Sequence, residues 1–127
     1  MYLLDTNVAL IAVTKPGLLS AEVRSALMSG PSYLSVVSYW EVVLKSMKGK
    51  LDVGDTRIWW SRSLQQLKAT SIGLKAEHVT ALKSLPGNHQ DPFDRILLAQ
   101  ASSEGLVLLT TDAEVRKYAG KQLKTIG

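Results

Sequence analysis

Cysteine is absent from the 127 residues, which excludes a disulfide framework and a thiolate metal site and fits a reducing compartment. Long apolar runs are missing too. The longest, Val8 to Val13, is far too short to span a bilayer, and Asp5 interrupts the start of the chain where a signal peptide needs its hydrophobic stretch. The expectation is a cytoplasmic protein with no membrane association. There is no G-x-S-x-G, Walker A or G-x-G-x-x-G pattern, which argues against an elbow serine nucleophile and a glycine-rich phosphate cradle. Histidine occurs only at positions 78 and 89, without ligand spacing. His78 falls on what reads as a polar helical face, and His89 lies two residues before Asp91, where a supporting role is open to it.

An apolar fraction of 46% with 20% charged residues is that of a folded globular chain, and the length suits one domain covering residues 1–127. Fifteen basic against eleven acidic residues leave a net charge of +4, which is compatible with a polyanionic partner without requiring one. Met1 to Leu4 and Gly105 to Thr111 are apolar runs, each ending at an aspartate, and read as buried parallel strands. Further strands are expected at Ser32 to Val36, Ala69 to Gly73 and Leu123 to Ile126. Helical patterns lie between them, at Thr6 to Val13, Ser20 to Met28, Ser38 to about Gly49, Asp55 to Leu67, Lys75 to Leu85, and Asp91 to about Glu104, with a short last one opened by Asp112. Trp60, Leu64 and Leu67 share one face, and Pro86-Gly87 stops the helix that begins at Lys75. The alternation implies an α/β fold, a mostly parallel sheet of four to five strands with helices on both faces.

In such a fold, ligands bind at the edge where the strands end and the helices begin. Asp5, Glu41, Asp94 and Asp112 all occupy such positions. Each has a local reading. Asp5 and Asp112 can cap the helices that follow them, and Ser38-Tyr39-Trp40-Glu41 has the form of a capping box, with Lys45 placed for an ion pair with Glu41. Asp91-Pro92-Phe93-Asp94 places Asp91 at a cap and Asp94 in the first turn. Asp94, however, borders the stripe of Leu97, Leu98 and Ala101, where a carboxylate needs a partner. Four carboxylates gathered without an evident basic counterweight repel one another unless a hard cation such as Mg²⁺ or Mn²⁺ lies among them. Clustering, unlike the four separate caps, explains why acids follow two strands and begin two helices. The three tryptophans read as core or interface residues rather than base-stacking platforms.

Leu3-Leu4-Asp5-Thr6-Asn7, Ser38-Tyr39-Trp40-Glu41-Val42 with Lys45 and Gly49-Lys50-Leu51, His89-Gln90-Asp91-Pro92-Phe93-Asp94-Arg95 continuing to Ala99-Gln100-Ala101, and Leu109-Thr110-Thr111-Asp112 together resemble the PIN-domain ribonucleases, in particular the VapC toxins of type II toxin–antitoxin modules. The family's acidic positions fall on Asp5, Glu41, Asp94 and Asp112. Asn7 departs from the histidine or serine that close relatives often carry. The resemblance implies a PIN-like three-layer α/β/α sandwich, a homodimer, Mg²⁺- or Mn²⁺-dependent endonucleolytic cleavage of RNA, and a VapB-like antitoxin through which promoter DNA is bound. On this reading Asp5, Asp94 and Asp112 hold the metal, with Glu41 a ligand directly or through water. Asp91, Asn7, Thr110 and Thr111 support the site, and Lys45 is placed to meet a substrate phosphate. Two alternatives stand beside it: a receiver-like Mg-binding phosphoacceptor domain, and a PIN-like RNA-binding module without catalysis.

Overall fold

In the computed structural model, which describes residues 1–85, 91–117 and 124–126, five short strands form one parallel sheet. They are β1 (Tyr2–Leu4), β2 (Ser32–Ser35), β3 (Ala69–Ile72), β4 (Val107–Leu109) and β5 (Lys124–Ile126), in the order β3-β2-β1-β4-β5. Leu4 stands beside Leu34 on one side and Leu109 on the other. The chain builds outward from β1 through β2 to β3, then crosses to β4 on the opposite side. The order therefore reverses at β1, so the carboxyl ends of β1 and β4 flank the switch point where open α/β sheets place their ligand crevice.

The helices are α1 (Thr6–Thr14), α2 (Ala21–Ser29), α3 (Val36–Met47), α4 (Thr56–Leu67), α5 (Ala76–Ala81), α6 (Pro92–Glu104) and α7 (Ala113–Arg116), with 3-10 turns at Pro16–Leu18 and Leu82–Ser84. Successive strand side chains point to opposite faces of a sheet, and here that alternation divides the core in two. Leu3 and Leu108 pack with Val37 of α3, Leu97, Leu98 and Ala101 of α6, and Val115 of α7. Leu4, Leu34 and Leu109 pack with Val8, Ala9 and Ala12 of α1 and Val23 and Ala26 of α2. Trp60, Leu64 and Leu67 of α4, the face expected from their spacing, cover the second cluster. The result is the expected α/β/α sandwich around a parallel sheet. Each fully buried leucine contributes about 2 kcal/mol by leaving water. Among the described residues no helix is long and apolar enough to cross a membrane.

Two elements and one residue differ from the sequence expectation. Helix α3 starts at Val36, not Ser38, because Ser35 stays extended and its Oγ accepts a hydrogen bond from the Val37 N–H at 3.0 Å. The β-branched pair Val36-Val37, which favours a strand, is thereby drawn into the first helical turn, with Val37 buried. The segment expected as a helix from Lys75 to Leu85 is α5 followed by a 3-10 turn, while its stop at Pro86-Gly87 lies outside the described residues, as does His89. Finally, His78 is not on a polar face: it is fully buried.

Candidate functional site

Asp5 directly follows β1, and its backbone N–H continues the ladder to the Leu109 carbonyl at 2.9 Å. Its carboxylate accepts from the Val8 N–H at 2.8 Å, which caps α1. The local reading of Asp5 as a cap is thus correct, yet the residue is only 5% exposed. Burial pushes its carboxyl from the usual 3.8 up to about 6. The Thr110 hydroxyl and the Val8 N–H draw it back by hydrogen bonding, the charge of Asp94 raises it, and the Thr111 N–H lowers it. The charge of Asp94 is thus felt at Asp5, as a lesser cause than burial.

Asp94 is half-buried in the first turn of α6. Asp91 caps that helix as expected, accepting from the N–H groups of Phe93 at 2.9 Å and Asp94 at 3.2 Å. Phe93 meets Trp40 edge-on, with ring centroids 5.0 Å apart, and this contact brings the start of α6 against α3 beside Glu41.

Glu41 is not the far end of a capping box. With Ser35 as the cap, Glu41 lies in the second turn of α3, on the face of Val37 and Ser38, and is buried. Ser38, the expected cap, accepts instead from the hydroxyl of Thr6 at 3.0 Å, tying α1 to α3 beneath the crevice. One Glu41 oxygen, Oε2, meets Lys45 Nζ at 2.7 Å. The other, Oε1, is buried with no hydrogen-bond partner. The expected lack of a basic counterweight is thus corrected. Hydrogen bonding to Glu41, aided by the charges of Glu41, Asp91 and Asp94, holds the Lys45 ammonium above its usual pKa against the opposing effect of burial.

Asp112 is half-buried two residues beyond Thr110. Its backbone N–H donates to Thr110 Oγ1 at 3.0 Å, so the Thr110 hydroxyl bridges Asp112 and Asp5. Of the other expected supports, Thr110 is buried, whereas Thr111 and Asn7 are exposed.

Asp5, Glu41 and Asp94 are hard oxygen donors: the carboxyl of the first is raised by burial, and Glu41 keeps one buried oxygen, Oε1, that no hydrogen bond satisfies. In donor type they suit a divalent cation. Among the described residues, however, no three acidic or histidine side chains form a ready cage for an ion. Closer approach by Glu41 has to draw its carboxylate from Lys45.

Sequence reasoning missed Thr6, Ser35, Ser38, His78 and Gln100 as the polar supports beneath these acids. Ser35 and Gln100 join directly, Ser35 Oγ donating to Gln100 Oε1 at 2.6 Å. The signal for Ser35 was available, since a serine closing an apolar strand before a helical pattern is a cap.

The family model described as PIN domain matches residues 2–121. No curated protein matches by sequence. Among solved structures, the chain is similar to DNA-bound VapBC from Salmonella typhimurium, at 14% identity, 98% coverage of this chain and 96% of the other, with a TM-score of 0.71. It is also similar to VapBC2 from Rickettsia felis bound to a promoter DNA fragment, at 16% identity, 98% and 97% coverage and a TM-score of 0.69. VapBC-5 from Mycobacterium tuberculosis, a member of the VapBC family of toxin-antitoxin systems, is similar at 18% identity, 98% and 95% coverage and a TM-score of 0.63.

Proposed function

From the chain's membership of the PIN domain family, to which it belongs by a match over residues 2–121, we propose that it is a metal-dependent endoribonuclease and the VapC-like toxin of a toxin–antitoxin pair. The observation that carries this reading is the burial of two carboxylates, Asp5 directly after β1 and Glu41 on α3, the latter with an Oε1 that no hydrogen bond satisfies. Asp5, Glu41, Asp94 and Asp112 hold Mg²⁺ or Mn²⁺, and residues 1–127 form one PIN unit. When bound, such a cation polarises a phosphodiester and acidifies water. Asp5 and Asp94 supply charge from opposite walls of the crevice. Glu41, buried on α3, keeps one oxygen free, and Thr110 orients Asp5 while fixing the turn that bears Asp112. Asp91 holds the start of α6 and hence Asp94. Lys45, 42% exposed at its side chain, meets a substrate phosphate once its hold on Glu41 loosens.

Partners follow from the same reading. An RNA substrate suits a net charge of +4. A VapB-like antitoxin is supported by likeness to chains solved as VapBC complexes, two of them with DNA, and promoter DNA reaches this chain through that antitoxin. A second copy of the chain is supported by a stripe on α3 where Val36, Trp40 and Met47 remain exposed. The reading places the protein in the cytoplasm.

The test is incubation of the purified chain with structured RNA. Cleavage with Mn²⁺, stopped by a chelator and abolished in Asp94→Asn while folding persists, is the expected result. The Glu41–Lys45 pair, in which a cation of the chain already holds one of the acids, favours the non-catalytic module as a second reading, and RNA bound but uncut with Mn²⁺ present would establish it. Family membership leaves the receiver reading without support, and transfer of phosphate from a small phosphodonor to an aspartate would restore it.

A further inference from the structure

A buried polar chain joins the end of β2, α5 and α6. Gln100 of α6 is fully buried. Its Oε1 accepts from the Ser35 hydroxyl at 2.6 Å, and its Nε2 donates to the Gly73 carbonyl beyond β3 at 3.2 Å. Ser35 Oγ, its proton given to Gln100, offers its lone pairs to the Val37 N–H and so starts α3. His78 of α5, also fully buried, accepts the Lys75 N–H on Nδ1 at 3.0 Å. Its ring proton therefore sits on Nε2, directed at Glu104 Oε1 of α6, 2.9 Å away. Gln100 Nε2 lies 3.4 Å from the same Nδ1, its donor facing an acceptor.

Each bond in this chain has a donor opposite an acceptor, the condition under which a buried network rigidifies rather than destabilises. Its placement is also specific. Helix α6 carries Asp94, and α3 carries Glu41 six residues after Ser35. The Ser35–Gln100 bond is a direct polar tie between these helices, made at the residue that determines where α3 begins. A shift of that start rotates or slides every later residue of the helix, and Glu41 is held among the described residues by its ion pair with Lys45, its Oε1 making no hydrogen bond.

We propose that Gln100, acting through Ser35, is a positioning residue that sets the Glu41 carboxylate against Asp94 for cation binding. This rests on the nuclease reading above. The test uses Ser35→Ala, Gln100→Leu, the double variant and Ser35→Thr, all in the full chain. Three measurements apply below each melting temperature: kcat and KM on RNA, the Mn²⁺ concentration for half-saturation by titration, and amide hydrogen exchange in the first two turns of α3 in metal-free protein.

Each single variant should lose kcat by about ten- to a hundredfold, with KM within about twofold. The Mn²⁺ midpoint should rise by a comparable factor, and exchange from Val37 to Glu41 should quicken. Because both residues share one bond, the double variant should be no worse than the weaker single one. Ser35→Thr, which keeps the hydroxyl, should restore all three readings. Should Gln100→Leu fail to fold, Ser35→Ala decides alone. If the wild type cleaves RNA and binds Mn²⁺ while folded Ser35→Ala keeps its kcat and Mn²⁺ midpoint, the positioning role is overturned. If the wild type neither cleaves RNA nor binds Mn²⁺, the nuclease reading fails and takes this inference with it.

Discussion

Asp5 is asked to cap α1 and to remain charged in a buried place, and only the first of these is favourable without a cation. Its folded pKa of about 6 lies above the unfolded value near 3.8. The folded state therefore binds this proton more tightly. The stability it contributes is complete below about pH 3.8 and is lost as pH rises through about 6, a swing on the order of 3 kcal/mol. Asp5→Asn keeps a side-chain oxygen for the Val8 N–H and removes the titration. In metal-free buffer the wild type should thus lose melting temperature relative to Asp5→Asn between about pH 4 and pH 7, and parallel profiles would mean that Asp5 is not strained by its charge. Lys45 presents the opposite case, a cation already occupying part of an anionic site. Lys45→Met leaves Glu41 without its counter-charge and should lower the Mn²⁺ midpoint while raising KM for RNA. A weakened response to Mn²⁺ would show instead that the ammonium holds Glu41 in its binding position.

At the scale of elements, what the sequence made legible were features written in short periods. The burial of Leu3, Leu4, Leu108 and Leu109, the cap at Asp91 and the buried stripe of α6 follow from local residue order, and all are present. Helix α3 was misplaced by two residues because two serines compete for its cap. The winner, Ser35, is selected by a glutamine 65 positions away, which no local pattern contains. His78 was misread for a related reason. Its neighbours on α5 are exposed, including Glu77 and Val79, so its turn looks polar, but α6 supplies Glu104 and Gln100 as partners. Asp5, Asp94 and Asp112 were legible as positions after strands or at a helix start, and the pairing of Glu41 with Lys45 followed from their i, i+4 spacing, whereas the place of Glu41 in the second turn of α3 was not legible. Helix ends also carry a testable strain. Lys68 closes α4 in the left-handed region, at φ 52°, where a side chain costs about 1 kcal/mol and glycine costs little. Lys68→Gly should therefore be neutral to stabilising, by up to about 1 kcal/mol in denaturant unfolding, since Lys68 is exposed. A loss above that amount would indicate that its side chain is held by something other than its backbone.

Over the whole molecule, the sheet order brings acids of a chain with eleven acids and fifteen bases to the carboxyl end of the sheet, where Asp5 directly follows β1 and Asp112 follows β4. The strand order reverses at β1, the place where open α/β sheets bind ligands; Asp5 and Thr110 follow β1 and β4, and α3 and α6, packed on one face of the sheet, carry Glu41 and Asp94. The two halves of the core pack leucine against both faces of the sheet, which offsets the cost of burying the Asp5 carboxylate at that edge. A cation that binds only the folded state returns this energy. At a concentration one hundred times its dissociation constant it adds about 2.7 kcal/mol, a rise in melting temperature on the order of 10 °C for a domain of this length. Asp94→Asn removes one of the repelling charges and one oxygen donor while Asp91 still caps α6. In metal-free buffer it should melt at or above the wild-type temperature, and with saturating Mn²⁺ it should gain distinctly less. Differential scanning calorimetry of the two proteins, with chelator and with Mn²⁺, separates the possibilities. Equal Mn²⁺ shifts would place the ion elsewhere, and marked destabilisation of Asp94→Asn without metal would make Asp94 a helix-stabilising charge rather than half of a repelling pair.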